Sequence, residues 1–219
     1  MDNVEIAALV HRCAVQPVVL EDRLFRATFD LESPAGLAAE IRVPPQRAFP
    51  LSTSLCVLLD GIQDAGNVGA ILRSAAAFGV QCAVLSAGCA DAWSPKALRA
   101  GMGGQFFLDL VENANLAEAI ASFGGAALCT VPRDGVRLDE VKFSRRLAWI
   151  FGAEGAGVGE SVAALASERV TIPMPGGTES LNVAAAAAIC LYETARRGLG
   201  EAASSSERGN LSKHMPFEL

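Results

Sequence analysis

Three loops gather the residues of this chain that could act on a ligand. The first, over 60–73, runs from Asp60 through Gly66, Asn67 and Gly69 to Arg73. Its glycines permit close backbone approach, Asn67 is of a type that caps a helix, and Arg73 is a cation set among alanine and apolar residues. The second, over 150–160, places Gly152, Gly155, Gly157 and Gly159 around Glu154. No G-x-G-x-x-G register and no G-K-[ST] occurs there, so it is neither a dinucleotide fingerprint nor a P-loop. Glu154 reads as a surface charge or as an anchor for backbone amides or a ligand hydroxyl. The third, over 172–183, reads Ile172-Pro173-Met174-Pro175-Gly176-Gly177-Thr178-Glu179-Ser180-Leu181-Asn182-Val183. Ser180 is an N-cap candidate for the helix that follows. Asn182, in the first turn of that apolar helix, needs a specific partner.

Amides, a guanidinium and a carboxylate orient ligands and stabilise developing charge. Histidine chemistry is poorly provided for. His11 and His214 lie near opposite ends of the chain, in stretches read as weakly structured, so a zinc site or a histidine-based nucleophile has little to be built from. The six cysteines include no C-x-x-C pair and mostly sit in apolar runs, as buried inert thiols do. The sequence predicts no metal. Proton chemistry falls to Arg, Lys, Glu, Asp or the substrate.

The elements that must position these loops follow from periodicity. Short apolar runs predict strands over 55–60, 80–85, 106–111, 126–131, 147–151 and 169–172. Helical spacing predicts helices over 67–78, 95–100, 116–123, 161–166 and 181–197. Strands apolar throughout, alternating with helices, imply an α/β fold with a mostly parallel sheet and helices on both faces. Ligands bind such sheets beyond the carboxyl ends of the strands, and all three loops follow strands. Residues 1–50 differ: strands are predicted over 15–20 and 37–43, a helix over 21–29, and Pro44, Pro45 and Pro50 mark a linker. Residues 200–219 read as a flexible tail.

Composition bounds the rest. Apolar residues make up 51% of 219, enough for a large core. The longest apolar run, 183–192, is about half of a membrane span, and the acidic start is unlike a signal peptide. A cytoplasmic protein with no membrane partner is expected. The net charge of −6 runs against a generic nucleic-acid binder but leaves room for one local basic face. Lys96, Arg99, Arg133, Arg137, Lys142, Arg145 and Arg146 are the candidates for phosphate contacts, each also readable as solvated surface charge.

Together the loops form N-x-G-x-x-x-R, G-x-E-G-x-G and I-P-M-x-x-x-x-x-S-L-N-V before a terminal helix. This order resembles the three motifs of the SpoU (TrmH-type) family of SPOUT methyltransferases, over about 51–198. It is nearest to members that methylate a guanosine ribose of large-subunit ribosomal RNA. The stretch Ser94-Pro95-Lys96-Ala97-Leu98-Arg99 also resembles the family's intermotif segment, with Gly101 where many members carry a small hydroxyl residue. The resemblance implies S-adenosylmethionine as cofactor, RNA as substrate, a C-terminal deep trefoil knot and a homodimer through the knotted domain with the site at the subunit interface. It assigns catalytic positions to Asn67, Arg73, Glu154, Ser180 and Asn182, and cofactor contacts to Thr130, Gly152, Gly155, Ile172, Met174 and Leu181. It divides the chain into an N-terminal RNA substrate-binding segment and linker (1–50), a methyltransferase domain (51–199) and the tail. Residues 24–41 resemble only the last portion of the family's N-terminal RNA-binding domain, as though the chain starts in mid-domain. Other readings are a transfer-RNA 2′-O-methyltransferase and a non-catalytic RNA-binding relative on the same fold. A nucleotide-binding oxidoreductase is disfavoured by the missing fingerprint.

Overall fold

A computed structural model describes residues 4–13, 16–29, 36–46, 49–50, 52–176 and 178–198. The chain divides into two compact units near Pro44 and Pro45. The N-terminal unit contains α1 (Val4–Cys13) and α2 (Asp22–Phe29), neither of which buries a residue. The helix expected over 21–29 is there. The strands expected over 15–20 and 37–43 are not: residues 16–20 and 37–43 form no strand. Their apolar residues meet no partner strand, and β-propensity without a packing surface is weak. His11 lies inside α1 rather than in an unstructured stretch.

The larger unit is built on seven strands in the order β3-β2-β1-β6-β4-β7-β5, every pair parallel. They are β1 (Leu55–Asp60), β2 (Cys82–Ser86), β3 (Asp109–Ala114), β4 (Ala126–Thr130), β5 (Val136–Arg137), β6 (Leu147–Gly152) and β7 (Glu168–Thr171). The helices are α3 (Ala65–Ala77), α4 (Pro95–Gly101), α5 (Leu116–Phe123), α6 (Glu160–Ala163) and α7 (Val183–Arg196). Period-two alternation sorts each central strand onto two faces. Leu55, Val57, Leu59, Leu147, Trp149 and Phe151 pack with α3 and α7. Cys56, Leu58, Ala148 and Ile150 pack with α5 and α6. Both faces are covered, which is why the central strands are apolar at every position.

Three elements depart from the periodicity. The helix expected over 161–166 is shorter, α6 ending at Ala163. The strand expected from 106 begins at Asp109, because Gly104–Phe107 form a 3-10 turn. The two-residue β5 was not foreseen; both its residues are exposed, so it carries no hydrophobic signal. Cys56, Cys82, Cys129 and Cys190 are buried, and Cys13 is exposed. Burial pushes the Cys190 thiol up, and burial with Cys82 beside it does the same for Cys56. Such thiols are inert. Residues 200–219, His214 among them, lie outside the described residues.

Gly101 and Gln105 share one buried space. The Gln105 amide donates to the Ala92 and Ala97 carbonyls at 3.2 and 3.1 Å, tying the segment before α4 to the 3-10 turn. Its Oε1 is buried without a partner. A Cβ at Gly101 would meet Oε1, and would fall 2.6 Å from Nε2 and 2.7 Å from Cδ. Gly101→Ala should therefore cost about 1–3 kcal/mol of unfolding free energy in urea melts. In a Gly101→Ala/Gln105→Ala double variant the penalties should be sub-additive by at least ~0.5 kcal/mol; strict additivity would refute the shared space.

Candidate active site

The three loops meet at the carboxyl edge of the sheet, where β1, β6 and β7 end. Helix α3 begins after Asp64, whose Oδ1 accepts the Asn67 N–H at 3.0 Å. The cap is thus Asp64 and not Asn67. The Lys96 ammonium, and next the Asn67 N–H, hold the Asp64 carboxyl below its ordinary range, so the cap stays ionised. With capping delegated, the Asn67 side chain is released to donate from Nδ2 to Glu154 Oε1 at 2.6 Å.

Glu154 stands on a loop that β6 could not enter with any other residue at its end. A Cβ on Gly152 would overlap the Gly157 carbonyl group and the Val158 nitrogen. The loop closes on itself through the Gly157 N–H, which donates to the Ala153 carbonyl at 2.8 Å. It is also tied to β1, because the Gly159 N–H donates to Asp60 Oδ2 at 2.8 Å. Asp60 thus holds the Glu154 loop in place, a supporting role not assigned to it from the sequence. Its signal was a carboxylate ending an otherwise apolar strand.

Asn182 completes the cluster. It is the N-cap of α7, its Oδ1 accepting from the Ala184 and Ala185 N–H groups at 2.9 and 3.3 Å. Its Nδ2 donates to Asn67 Oδ1 at 3.0 Å and to Glu154 Oε1 at 2.9 Å. Ser180 is therefore not the cap, since α7 starts two residues later than expected; it is exposed and makes no hydrogen bond to the trio. Glu154 anchors two side-chain amides rather than backbone amides. Its Oε1 accepts both, which fixes the orientation of each amide.

Asn182→Asp separates the two roles of this residue. Aspartate caps a helix as well as asparagine but lacks the amide donor and sets a like charge against Glu154. Turnover should fall tenfold or more at neutral pH, with the thermal midpoint changed by only a few degrees. Turnover at the wild-type level would remove Asn182 from the site.

Arg73 is exposed and makes no side-chain hydrogen bond or ion pair among the described residues. It follows Asn67 by six positions, which at about 100° per residue puts it roughly 120° around the helix. Its backbone packs against Gly104. One chain therefore does not bring Arg73 to the trio.

A cavity of about 330 Å³ opens beyond β4 and β7, lined by Ile172, Met174, Pro132, Pro173, Arg133 and Thr178 among others. Ile172 and Met174 are thus where a ligand could lie. Thr130, Gly152, Gly155 and Leu181 are outside its lining. The Thr130 hydroxyl donates to the Ile150 carbonyl at 3.1 Å, Gly155 has a left-handed φ of +85°, and Leu181 is exposed on the approach to α7. Of the phosphate candidates, three are engaged by other groups of the chain. Lys96 pairs with Asp64, Arg137 with Asp139 and Glu140, and Arg146 reaches the Thr53 carbonyl and the Phe123 ring. Among the described residues no cluster of His, Cys, Asp and Glu is placed to hold a metal ion, and no helix is long and apolar enough to cross a membrane.

A family model described as the SpoU rRNA Methylase family matches residues 54–192. An uncharacterized tRNA/rRNA methyltransferase of Synechocystis is 37% identical over 169 residues, covering 75% of this chain and 62% of its own. The 23S rRNA (guanosine(2553)-2′-O)-methyltransferase RlmP of Bacillus subtilis is 34% identical over 181 residues, covering 81% and 72%. This chain thus spans about two thirds of the length of these relatives. Among solved structures, the SpoU methyltransferase AviRb of Streptomyces viridochromogenes in complex with AdoMet is similar at a TM-score of 0.77 and 27% identity, over 90% of this chain and 80% of that one.

Proposed function

The chain belongs to the SpoU rRNA Methylase family, and from that premise we propose that it transfers a methyl group from S-adenosylmethionine to a ribose 2′-hydroxyl of RNA, with a guanosine of large-subunit ribosomal RNA as target. The observation that carries the reading is the convergence of Asn67, Glu154 and Asn182, one from each motif loop, into a single hydrogen-bonded trio. The B. subtilis relative, named for a guanosine ribose, supports the choice of nucleotide.

The residues present suit the cofactor. The cavity offers apolar walls from Ile172, Met174, Pro132 and Pro173 for a planar base. At Gly152 the loop packs so closely that it leaves no room for a side chain. Thr130, Gly152, Gly155, Ile172, Met174 and Leu181 would hold S-adenosylmethionine, which supplies a methyl already activated by its sulfonium. The chain must then place a 2′-oxygen in line and manage the departing proton. Such positioning contributes on the order of 7–11 kcal/mol. Asn67, Asn182 and Ser180 orient the ribose, Glu154 fixes the two amides, and Arg73 stabilises the developing alkoxide or clamps the adjacent phosphate.

The proposal includes a homodimer through the knotted domain, in which Arg73 of one protomer reaches the trio of its partner. The separation of Arg73 from its own trio supports this, as does the outward apolar pair Ile189 and Tyr192 on α7. The trefoil knot is part of the same proposal. It is supported by the insertion of β6 between β1 and β4 and by the packing of α7 on α3 and β6. Residues 51–199 form the catalytic domain, residues 1–50 the RNA substrate-binding segment and linker, and the protein works in the cytoplasm. The test is transfer from labelled S-adenosylmethionine to deproteinised ribosomal RNA, followed by nucleoside mass spectrometry. The expected product is 2′-O-methylguanosine. A base-methylated product, or no incorporation, would overturn the assignment.

A further inference from the structure

Large apolar side chains crowd the surface beside Arg73. Met102 and Phe107 are each 70% exposed and Phe106 is 46% exposed. They belong to the left-handed cap of α4 and to the 3-10 turn that follows it. That turn buries Gly104 and Gln105 and so presents its two phenylalanines outward. The patch is well supported from beneath. Gly104 packs on the Arg73 backbone, Gln105 is bonded to the Ala92 and Ala97 carbonyls, and the Trp93 ring stands edge-on to Phe106 at 5.6 Å. Exposed aromatics held on such a base offer flat faces at little entropic cost.

Charge indicates what covers them. Arg99, in the last turn of α4, is exposed. Like Arg73, it makes no side-chain ion pair or hydrogen bond among the described residues. Two uncommitted guanidiniums therefore flank the aromatic faces in a chain of net charge −6. Lys96, on the same helix as Arg99, is by contrast paired with Asp64. Phosphate is the anion that the planar forks of the two arginines match best.

We infer that Phe106, Phe107 and Met102, flanked by Arg99 and Arg73, form a docking surface for single-stranded RNA, on which unpaired bases stack while the guanidiniums meet phosphates. This rests on the methyltransferase reading, because Arg73 joins the surface to the proposed reacting ribose. The nucleotides it holds are those flanking the target.

The test compares Phe106→Leu/Phe107→Leu, which keeps apolar bulk but removes the rings, with Phe107→Tyr, which keeps a ring. Binding to a labelled unstructured RNA of about a dozen nucleotides is followed by anisotropy, S-adenosylmethionine binding by calorimetry, and mass by sedimentation. The double leucine variant should bind this RNA about tenfold more weakly, with a raised KM for ribosomal RNA. Phe107→Tyr should bind normally, and cofactor affinity and mass should be retained. Undiminished RNA binding, or loss of self-association in place of RNA binding, overturns the inference. Should the leucine variant misfold, 4-thiouridine crosslinking of the wild-type chain decides. Adducts on the peptide carrying Phe106 and Phe107 are expected, and adducts only elsewhere refute the surface. The readings fail separately: wild-type chain that binds RNA here without transferring methyl sinks the activity alone, and active chain indifferent to these rings sinks the surface alone.

Discussion

Arg73→Ala should lower methyl transfer to RNA by about 10²–10³-fold while leaving S-adenosylmethionine affinity unchanged. That is the usual effect of deleting one donor aimed at developing charge. The charge-stabilising role is preferred to that of a base, because a guanidinium in a protein is a permanent cation with donors only and nothing to accept the proton. Arg73→Lys keeps a cation but loses the planar fork, and should retain intermediate activity, about tenfold below wild type. Near-normal turnover in Arg73→Lys with an unchanged pH profile would defeat the account. Because Arg73 lies away from its own Asn67–Glu154–Asn182 trio, a mixture of Arg73→Ala with Glu154→Gln chains should recover activity that neither variant has alone. Mixing without recovery would place Arg73 in its own protomer's site.

Gly152→Ala should abolish cofactor binding more completely than any substitution of a polar residue in the trio. The added methyl would overlap the Gly157 carbonyl and the Val158 nitrogen, all of it backbone. A flexible side chain could step aside, whereas here the loop over 153–158 must move. Its Gly157–Ala153 hydrogen bond would break, and Glu154 would be drawn off both amides. Overpacking costs about 1–3 kcal/mol, so the fold survives with a thermal midpoint a few degrees lower. Calorimetric affinity for S-adenosylmethionine should nevertheless fall by a hundredfold or more. Gly155→Ala is the control. No atom lies within 4 Å of its added carbon, but φ is +85°, so it meets only backbone strain of roughly 1–2 kcal/mol and should bind cofactor far better. Equal losses in the two variants would mean that the loop is sensitive to any change and that close packing at Gly152 is not special.

Much of this protein is determined locally. Leu55–Asp60 and Leu116–Phe123 are bounded as their apolar spacing and flanking residues dictate, because period and end signals act within a few residues. The parallel class follows from strands apolar on both faces, such as Leu147–Gly152. The three ligand loops are visible as glycines and amides after strands, since only glycine tolerates the approach that Gly152 makes.

Other features depend on partners distant in the chain. Which residue caps α3 could not be read from asparagine preference: Asp64 takes the cap, with Lys96 from 32 positions away, and this frees Asn67. The same shift at α7 gives the cap to Asn182 and leaves Ser180 outside it. The apolar runs at 16–20 and 37–43 had the composition of strands but no sheet edge to join. The sequence by itself determined the sheet, the loops and the types of residue available for chemistry, because periodicity and backbone sterics are short-range. Only the tertiary structure decided that Glu154 binds two amides 87 and 28 positions away and that Arg73 stands apart from them. Those outcomes depend on strand order and on the angular position of each residue on its helix, which no local pattern encodes.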